Sequence, residues 1–297
     1  MSDLLGSIAG GLGQGSIYAL LAVGFVMIYK AMGVISFAQP AFMMAGALLV
    51  TYLAPEIGFF LAVPVAAIAI AGVSLVVERV AIRPMVGKAV FVIAIITIGI
   101  DVIVRTVAGA FIGRDPRPIG DPWGNATVSI GSVTVYERHI AAFIVAAVLV
   151  AALFAFFRWT PIGLAMRASA LDQEAAMAQG VSVGAVFAVS WGLAGALATV
   201  AGVFAASNTG GTMDRNLWLV ALAALPVIIL GGLDSFGGAV LGGLIIGVVQ
   251  RVVGDYHREW FPFLDTNLFL ITPYLVMFVV LLVRPYGLFG TKEVERV

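Results

Sequence analysis

Cysteine is absent from the 297 residues, histidine occurs twice, and charged side chains make up 11% of the chain. The first absence removes disulfides, thiolate nucleophiles and cysteine metal sites, and leaves the redox compartment undetermined. His139 and His257 stand far apart without ligand-spaced neighbours, which argues against a metal site. The formal net charge is zero and no basic run occurs, so nothing in the charge pattern invites a nucleic acid. A Gly-x4-Gly-Lys-Ser/Thr phosphate loop is missing too, because Lys30, Lys88 and Lys292 all lack that setting. Energy for any work must therefore come from another chain or from an ion gradient.

What the sequence has in excess is apolar surface, with 62% hydrophobic residues and a mean hydropathy of +1.10. Those values exclude an ordinary soluble protein and define an integral membrane protein. Apolar segments run at 7–29, 34–54, 57–80, 89–112, 139–157, 183–207, 217–233, 237–253 and 267–283. Each is long enough, or nearly so, for a helix rising 1.5 Å per residue to cross a ~30 Å hydrocarbon core. The expected fold is an all-α polytopic membrane protein of about eight to nine transmembrane helices, forming one transmembrane domain over 1–297. Pro226 inside the seventh segment, and Ser36, Gln39 and Pro40 at the opening of the second, predict broken or partly re-entrant helices. The N-terminal MSDLLGSIAGG carries an acid where a secretory signal carries Lys or Arg, so it is expected to stay in the mature protein.

Orientation follows from the basic residues of short loops. A cytoplasmic C-terminus puts Lys30, Arg79, Arg83, Lys88, Arg158, Arg167, Arg284, Lys292 and Arg296 inside, and Arg114, Arg117, Arg138, Arg215, Arg251 and Arg258 outside. The 113–138 loop is then extracytoplasmic. Within it, ATVSIGSVTVYE alternates Val128, Ile130, Val133 and Val135 around Gly131 and Ser132, which predicts a small β-hairpin.

A polar island, RWTPIGLAMRASALDQEAAMAQGV, lies between two apolar spans, and residues 158–182 form the longest cytoplasmic loop. Thr160 before Pro161 is a helix-start signal, Asp172 can cap a second short helix, and Gly180 can end it. Two short helices at a corner make a knob. Ala175 and Ala176 offer a close approach to another protein, and Arg167 and Glu174 offer charges that fix its register. The alternative is an interfacial helix with Leu164, Met166, Leu171 and Met177 in lipid.

Within the fourth span, Asp101 and Arg105 share a face at i and i+4, and neither should meet lipid. They either line a path for a zwitterion or neutralise each other and lock the helix to its neighbour. Ser36, Gln39 and Thr97 are milder lining candidates. Pro40 is expected to free a carbonyl and form a gate, or else a simple kink. Glycines 231, 232, 237, 238, 242, 243 and 247 suit close helix packing.

The island's EAAMAQG resembles the cytoplasmic coupling loop of ATP-binding-cassette importer permeases. GSIYALLAVGFVMIYKAMGVISFAQPAFMMAGALL at 15–49 is similar to the N-terminal signature of the branched-chain amino acid permeases. TIGIDVIVR at 97–105, the island, and LGGLDSFGGAVLGGLIIGVVQ at 230–250 resemble that family's later blocks in order and spacing. The likeness is to the shorter, first permease of the family's pair. It departs at Pro40, where glycine is expected, and at Ser36, where asparagine is usual, both of which bear on substrate identity.

The resemblance implies a non-enzymatic permease subunit in a bacterial inner membrane, importing branched-chain or related small amino acids. Its implied partners are a second, related permease, two cytoplasmic ATPases that hold ATP and Mg, and an extracytoplasmic binding protein. Arg167, Glu174, Ala175, Ala176 and Gly180 become ATPase-coupling candidates. Ser36, Gln39, Pro40, Thr97, Asp101 and Arg105 become translocation candidates. No cofactor is expected on this chain itself. A secondary transporter with Asp101 as its ion site is the rival reading. An intramembrane enzyme fits poorly, since no His-Glu-x-x-His or paired catalytic acids occur.

Overall fold

The computed structural model describes residues 2–113, 115–131, 133–260 and 268–290. Arg114, Ser132, Lys292 and Arg296, used above for orientation and for the hairpin turn, lie outside the described residues. Apolar length sets the long helices: α1 (Ser2–Met32), α2 (Gln39–Ile57), α3 (Phe59–Val77), α4 (Val90–Ile112) and α5 (Glu137–Trp159). After the short α6 (Pro161–Leu171) and α7 (Gln173–Ala178) come α8 (Val183–Asn208), α9 (Leu219–Leu222), α10 (Ala224–Gly231), α11 (Phe236–Trp260) and α12 (Leu268–Val283). Among the described residues, seven helices are long and apolar enough to cross a membrane, while Leu219–Gly231 and Leu268–Val283 are shorter.

Of the two expected breaks, one can be traced to a single proline. Pro226 has no N–H to give the Leu222 carbonyl, so the seventh segment divides at Ala223 into α9 and α10. Tyr274 on α12 donates its hydroxyl to that Leu222 carbonyl at 3.4 Å. Pro40 behaves differently from the expectation. It occupies the first turn of α2, where a missing N–H costs nothing, so it opens the helix and frees no carbonyl within one. The interruption lies in the non-helical stretch before Gln39.

α1 is the buried axis, with Ile17, Leu21, Ala22 and Met27 fully enclosed by α5, α8 and α11. Small residues permit this. Gly11 and Gly15 of α1 face Gly243 and Gly247 of α11, each pair at i and i+4, with backbone against backbone. Gly231 of α10 meets Gly238 of α11 in the same way. Large apolar side chains instead point outward from α3, α4 and α12, where Phe60, Ile68, Phe91 and Val283 are exposed. Such a belt would be unstable in water and suits a lipid surround.

The α3 helix ends in a π turn, Glu78–Ile82, whose wider pitch brings Glu78 and Arg83 into register at i and i+5. Arg83 Nε and Nη2 each donate to the buried Glu78 carboxylate at 2.9 Å, and Nη2 also reaches the Gly184 carbonyl at 2.6 Å. That contact ties α3 to the start of α8.

The expected hairpin forms from β2 (Thr127–Ile130) and β3 (Val133–Tyr136), paired from Thr127↔Tyr136 to Ile130↔Val133. A second pair was not foreseen. β1 (Arg117–Pro118) joins β4 (Thr212–Met213) and fastens this loop to the segment after α8. The hairpin leads directly into α5, and the 158–182 segment follows its other end. At 1.5 Å per residue α5 separates them by about 35 Å, so knob and hairpin occupy opposite poles.

Candidate functional site: a two-helix knob and two buried polar clusters

The knob is built by its caps. Thr160 Oγ1 accepts the Gly163 N–H at 3.0 Å at the start of α6, and Asp172 Oδ1 accepts the Ala175 N–H at 3.0 Å at the start of α7. Gly180 closes α7 at φ +83°. There the Val181 N–H returns to the Ala176 carbonyl at 3.0 Å and the Gly180 N–H to the Met177 carbonyl at 2.9 Å, a Schellman turn. Gln173 Nε2 donates to the Ala31 carbonyl at 3.0 Å and anchors the knob on the end of α1.

Arg167, Glu174, Ala175 and Gly180 are exposed on this knob, but Ala176 is buried. The helical period turns Ala176 inward, so of the two alanines Ala175 alone is open to a partner. Met166 is likewise buried, which removes it from the proposed lipid-dipping set. Leu164 and Met177 remain exposed, and Leu171 is 90% exposed. The result is an apolar tip flanked by the exposed charges of Arg167, Asp172 and Glu174.

Five of the six translocation candidates gather where α2 begins against α4, while Gln39 turns its amide toward Gly24 of α1. Thr97 Oγ1 accepts the Phe37 N–H at 3.0 Å and donates to the Ala94 carbonyl at 2.8 Å. Ser36 Oγ accepts the Ala38 N–H at 3.4 Å. Arg105 donates through Nε to Asp101 Oδ2 at 2.7 Å, its Nη2 lies 2.5 Å from the same oxygen, and its guanidinium stacks 4.0 Å from the Trp218 ring centroid. The pair therefore links α4 to the segment before α9 through Trp218. Beside it, Arg105, Arg215 and Trp218 line a cavity of 470 Å³. Gln39 is fully buried, and neither amide atom has a partner among the described residues. That is a costly arrangement in a packed interior.

A second polar cluster was missed from the sequence. Asn208 Nδ2 donates to Gln14 Oε1 at 2.9 Å, and Gln14 Nε2 to Tyr18 Oη at 2.9 Å. Tyr18 Oη donates to Gln250 Oε1 at 2.6 Å, and Gln250 Nε2 to the Phe269 carbonyl at 2.9 Å. This chain of bonds joins α8, α1, α11 and α12 beside a cavity of 560 Å³. Its signal was available, since Gln14 and Tyr18 share one face of an apolar span at i and i+4.

The similarity of this chain to known proteins extends over nearly its whole length. The profile of the family described as branched-chain amino acid transport system / permease component matches residues 7–281. The high-affinity branched-chain amino acid transport system permease protein LivH of Escherichia coli (strain K12) is 30% identical over 305 residues, covering 97% of this chain and 96% of its own. The corresponding permease protein BraD of Pseudomonas aeruginosa is 29% identical over 314 residues, covering 99% and 98%. Among solved structures, PsaBC from Streptococcus pneumoniae in complex with Fab aligns at 12% identity with a TM-score of 0.48, covering 93% of this chain and 91% of that one. With the family profile spanning nearly the whole membrane domain, the chain belongs to the branched-chain amino acid transport system permease component family and is a multi-pass membrane protein.

Proposed function

We propose that this chain is the permease subunit of an ATP-binding-cassette importer in a bacterial inner membrane. It moves branched-chain or related small amino acids delivered by an extracytoplasmic binding protein. It pairs with a second, related permease, and two cytoplasmic ATPases that bind ATP and Mg supply the energy. The observation that carries this reading is the knob: two capped helices with an exposed apolar tip, on the pole opposite the hairpin. Lipid is the other environment that such a tip would suit. Exposed Arg167 and Glu174 on the same knob favour a protein groove, which can pair both charges and cover Leu171.

The connections support one route for such a push. α6 packs on α5, α8 and α1, and Gln173 holds the end of α1 directly. Motion of α7 is thus passed to α1, whose outer half carries Gln14 and Tyr18. Ser36, Pro40, Thr97, Asp101 and Arg105 at the meeting of α2 and α4, with Gln39 turned toward α1, are the residues that alternating access would work against. An ion-coupled mechanism is disfavoured by the Arg105 guanidinium, which already supplies Asp101 with a permanent cation.

The partner reading is tested by Glu174→Lys. The affinity-tagged permease is purified from cells that co-express its ATPases, and the variant retains much less ATPase than the wild type while staying folded in the membrane. Undiminished co-purification would favour the lipid-facing reading of the knob.

A further inference from the structure

We infer that the 560 Å³ cavity between α1, α8, α9–α10, α11 and α12 is a solute site for zwitterionic α-amino acids with uncharged, apolar side chains. The inference rests on the amino-acid permease reading above and specifies where, and by what chemistry, this chain handles its solute. Nothing in the comparisons assigns a role to these residues.

The volume lies within the roughly 300–1,000 Å³ range of small-molecule sites. Its polar interior is neutral, because Gln14, Tyr18, Asn208 and Gln250 are hydrogen-bonding groups without charge. They are committed mainly to one another in the chain of bonds described above. Asn208 Oδ1 is the exception, a buried acceptor without a partner among the described residues. It stands ready for a donor such as an ammonium group. At the hairpin-side rim, Arg251 Nε and Asp255 Oδ2 form an ion pair at 3.0 Å, with both side chains more than a third exposed. Asp255 Oδ2 also accepts the Ser7 hydroxyl at 2.7 Å; an exposed ion pair contributes little to stability and here offers a carboxylate and an ammonium complementary partners. Leu222 and Phe269 supply apolar wall.

Net charge is what this arrangement selects. A zwitterion carries its own counter-charge into a neutral interior. Arg251 and Asp255 at the rim are matched by the zwitterion's own two charges, so a further charge on the solute would meet no free opposing charge and would bear the cost of desolvation. The break at Ala223 lies in the cavity wall, and Tyr274, which binds the released Leu222 carbonyl, lines it too. The helix discontinuity therefore belongs to the site.

The absence of cysteine permits a direct test. Val220→Cys and Ala223→Cys introduce one thiol each in the cavity wall, outside the hydrogen-bonded chain, with lipid-facing Ile68→Cys as control. The full-length chain in lipid nanodiscs is treated with 2-hydroxyethyl methanethiosulfonate, an uncharged and hydrophilic reagent. Both cavity thiols react faster than the control. Saturating leucine slows them about fivefold or more, since occupancy protects as 1 + [L]/Kd. Lysine and glutamate give no comparable protection.

Failure of both cavity thiols to react overturns the inference, because a dry or lipid-filled cavity excludes the reagent. So does labelling that leucine leaves unchanged, or equal protection by lysine or glutamate. Labelling requires neither ATP nor partner subunits. An importer reading that fails on energetics therefore gives a different result from a site that fails here.

Discussion

Replacing Gly180 with valine uncouples ATP hydrolysis from amino-acid uptake while the permease still reaches the membrane. Gly180 sits at φ +83° with nothing within 4 Å of where a Cβ would stand, so the effect comes from backbone conformation and involves no clash. The left-handed region costs an L-residue about 1–2 kcal/mol, and a β-branched residue is the least able to adopt it. Once that conformation is lost, the bonds from Val181 to Ala176 and from Gly180 to Met177 cannot close α7. A penalty of this size shifts the formed knob by roughly fivefold to thirtyfold, and uptake per ATP hydrolysed falls accordingly. Gly180→Asn is the control, since asparagine tolerates the left-handed region and should retain coupling. Uptake and phosphate release measured together in proteoliposomes decide the matter. Wild-type coupling in the valine variant would remove Gly180 from the coupling element.

The second large effect is on the fold itself. Gly15→Val should abolish recovery of a folded, monodisperse permease from detergent extracts. A Cβ at Gly15 would lie 2.7 Å from both the Gly243 carbonyl oxygen and the Leu244 Cα. These are backbone atoms, which cannot rotate away as a side-chain tip can. Overpacking an ordinary core site costs about 1–3 kcal/mol, and a rigid helix crossing should reach or exceed that upper end. Gly72→Val and Gly99→Val provide the contrast, because both lie within helices with open space around them. Size-exclusion profiles and thermal unfolding of the three variants should separate Gly15 from the other two. A normally folded Gly15→Val protein would mean that the α1–α11 crossing is not packed as described.

These two predictions differ in how much of their basis was visible in the sequence. Gly180 was identifiable because helix stops are local: Asp172, a short helical stretch and a glycine suffice to forecast the cap. Span lengths were readable for the same reason, as were the glycine stripe of α11 and the hairpin. Local reading failed where the controlling contact is distant in sequence. The pairing of Arg117 with Met213 joins two loops that no periodicity connects. The Glu78–Arg83 pair requires a π turn, and a 3.6-residue helix would not bring those positions together.

The candidate positions divide along the same line. Asp101 and Arg105 stood out because charge is rare in an apolar span, and the structure joins them as i and i+4 geometry suggested. Gln14, Tyr18, Asn208 and Gln250 are each mild substitutions in an apolar background. Their significance emerges only when α1, α8 and α11 converge. Ala176 shows the opposite error, in which a motif was read as a surface although one turn of helix places that residue inside.

The central claim is that a separate nucleotide-hydrolysing engine drives this permease. The most direct measurement is leucine uptake into right-side-out vesicles that contain the assembled transporter and enclosed ATP, with Na⁺ and H⁺ gradients collapsed. Accumulation that continues under these conditions, and stops when the enclosed ATP is replaced by a non-hydrolysable analogue, is the result this account predicts. Accumulation that ignores internal ATP and returns only with an imposed ion gradient would contradict it, and would make Asp101 an ion site.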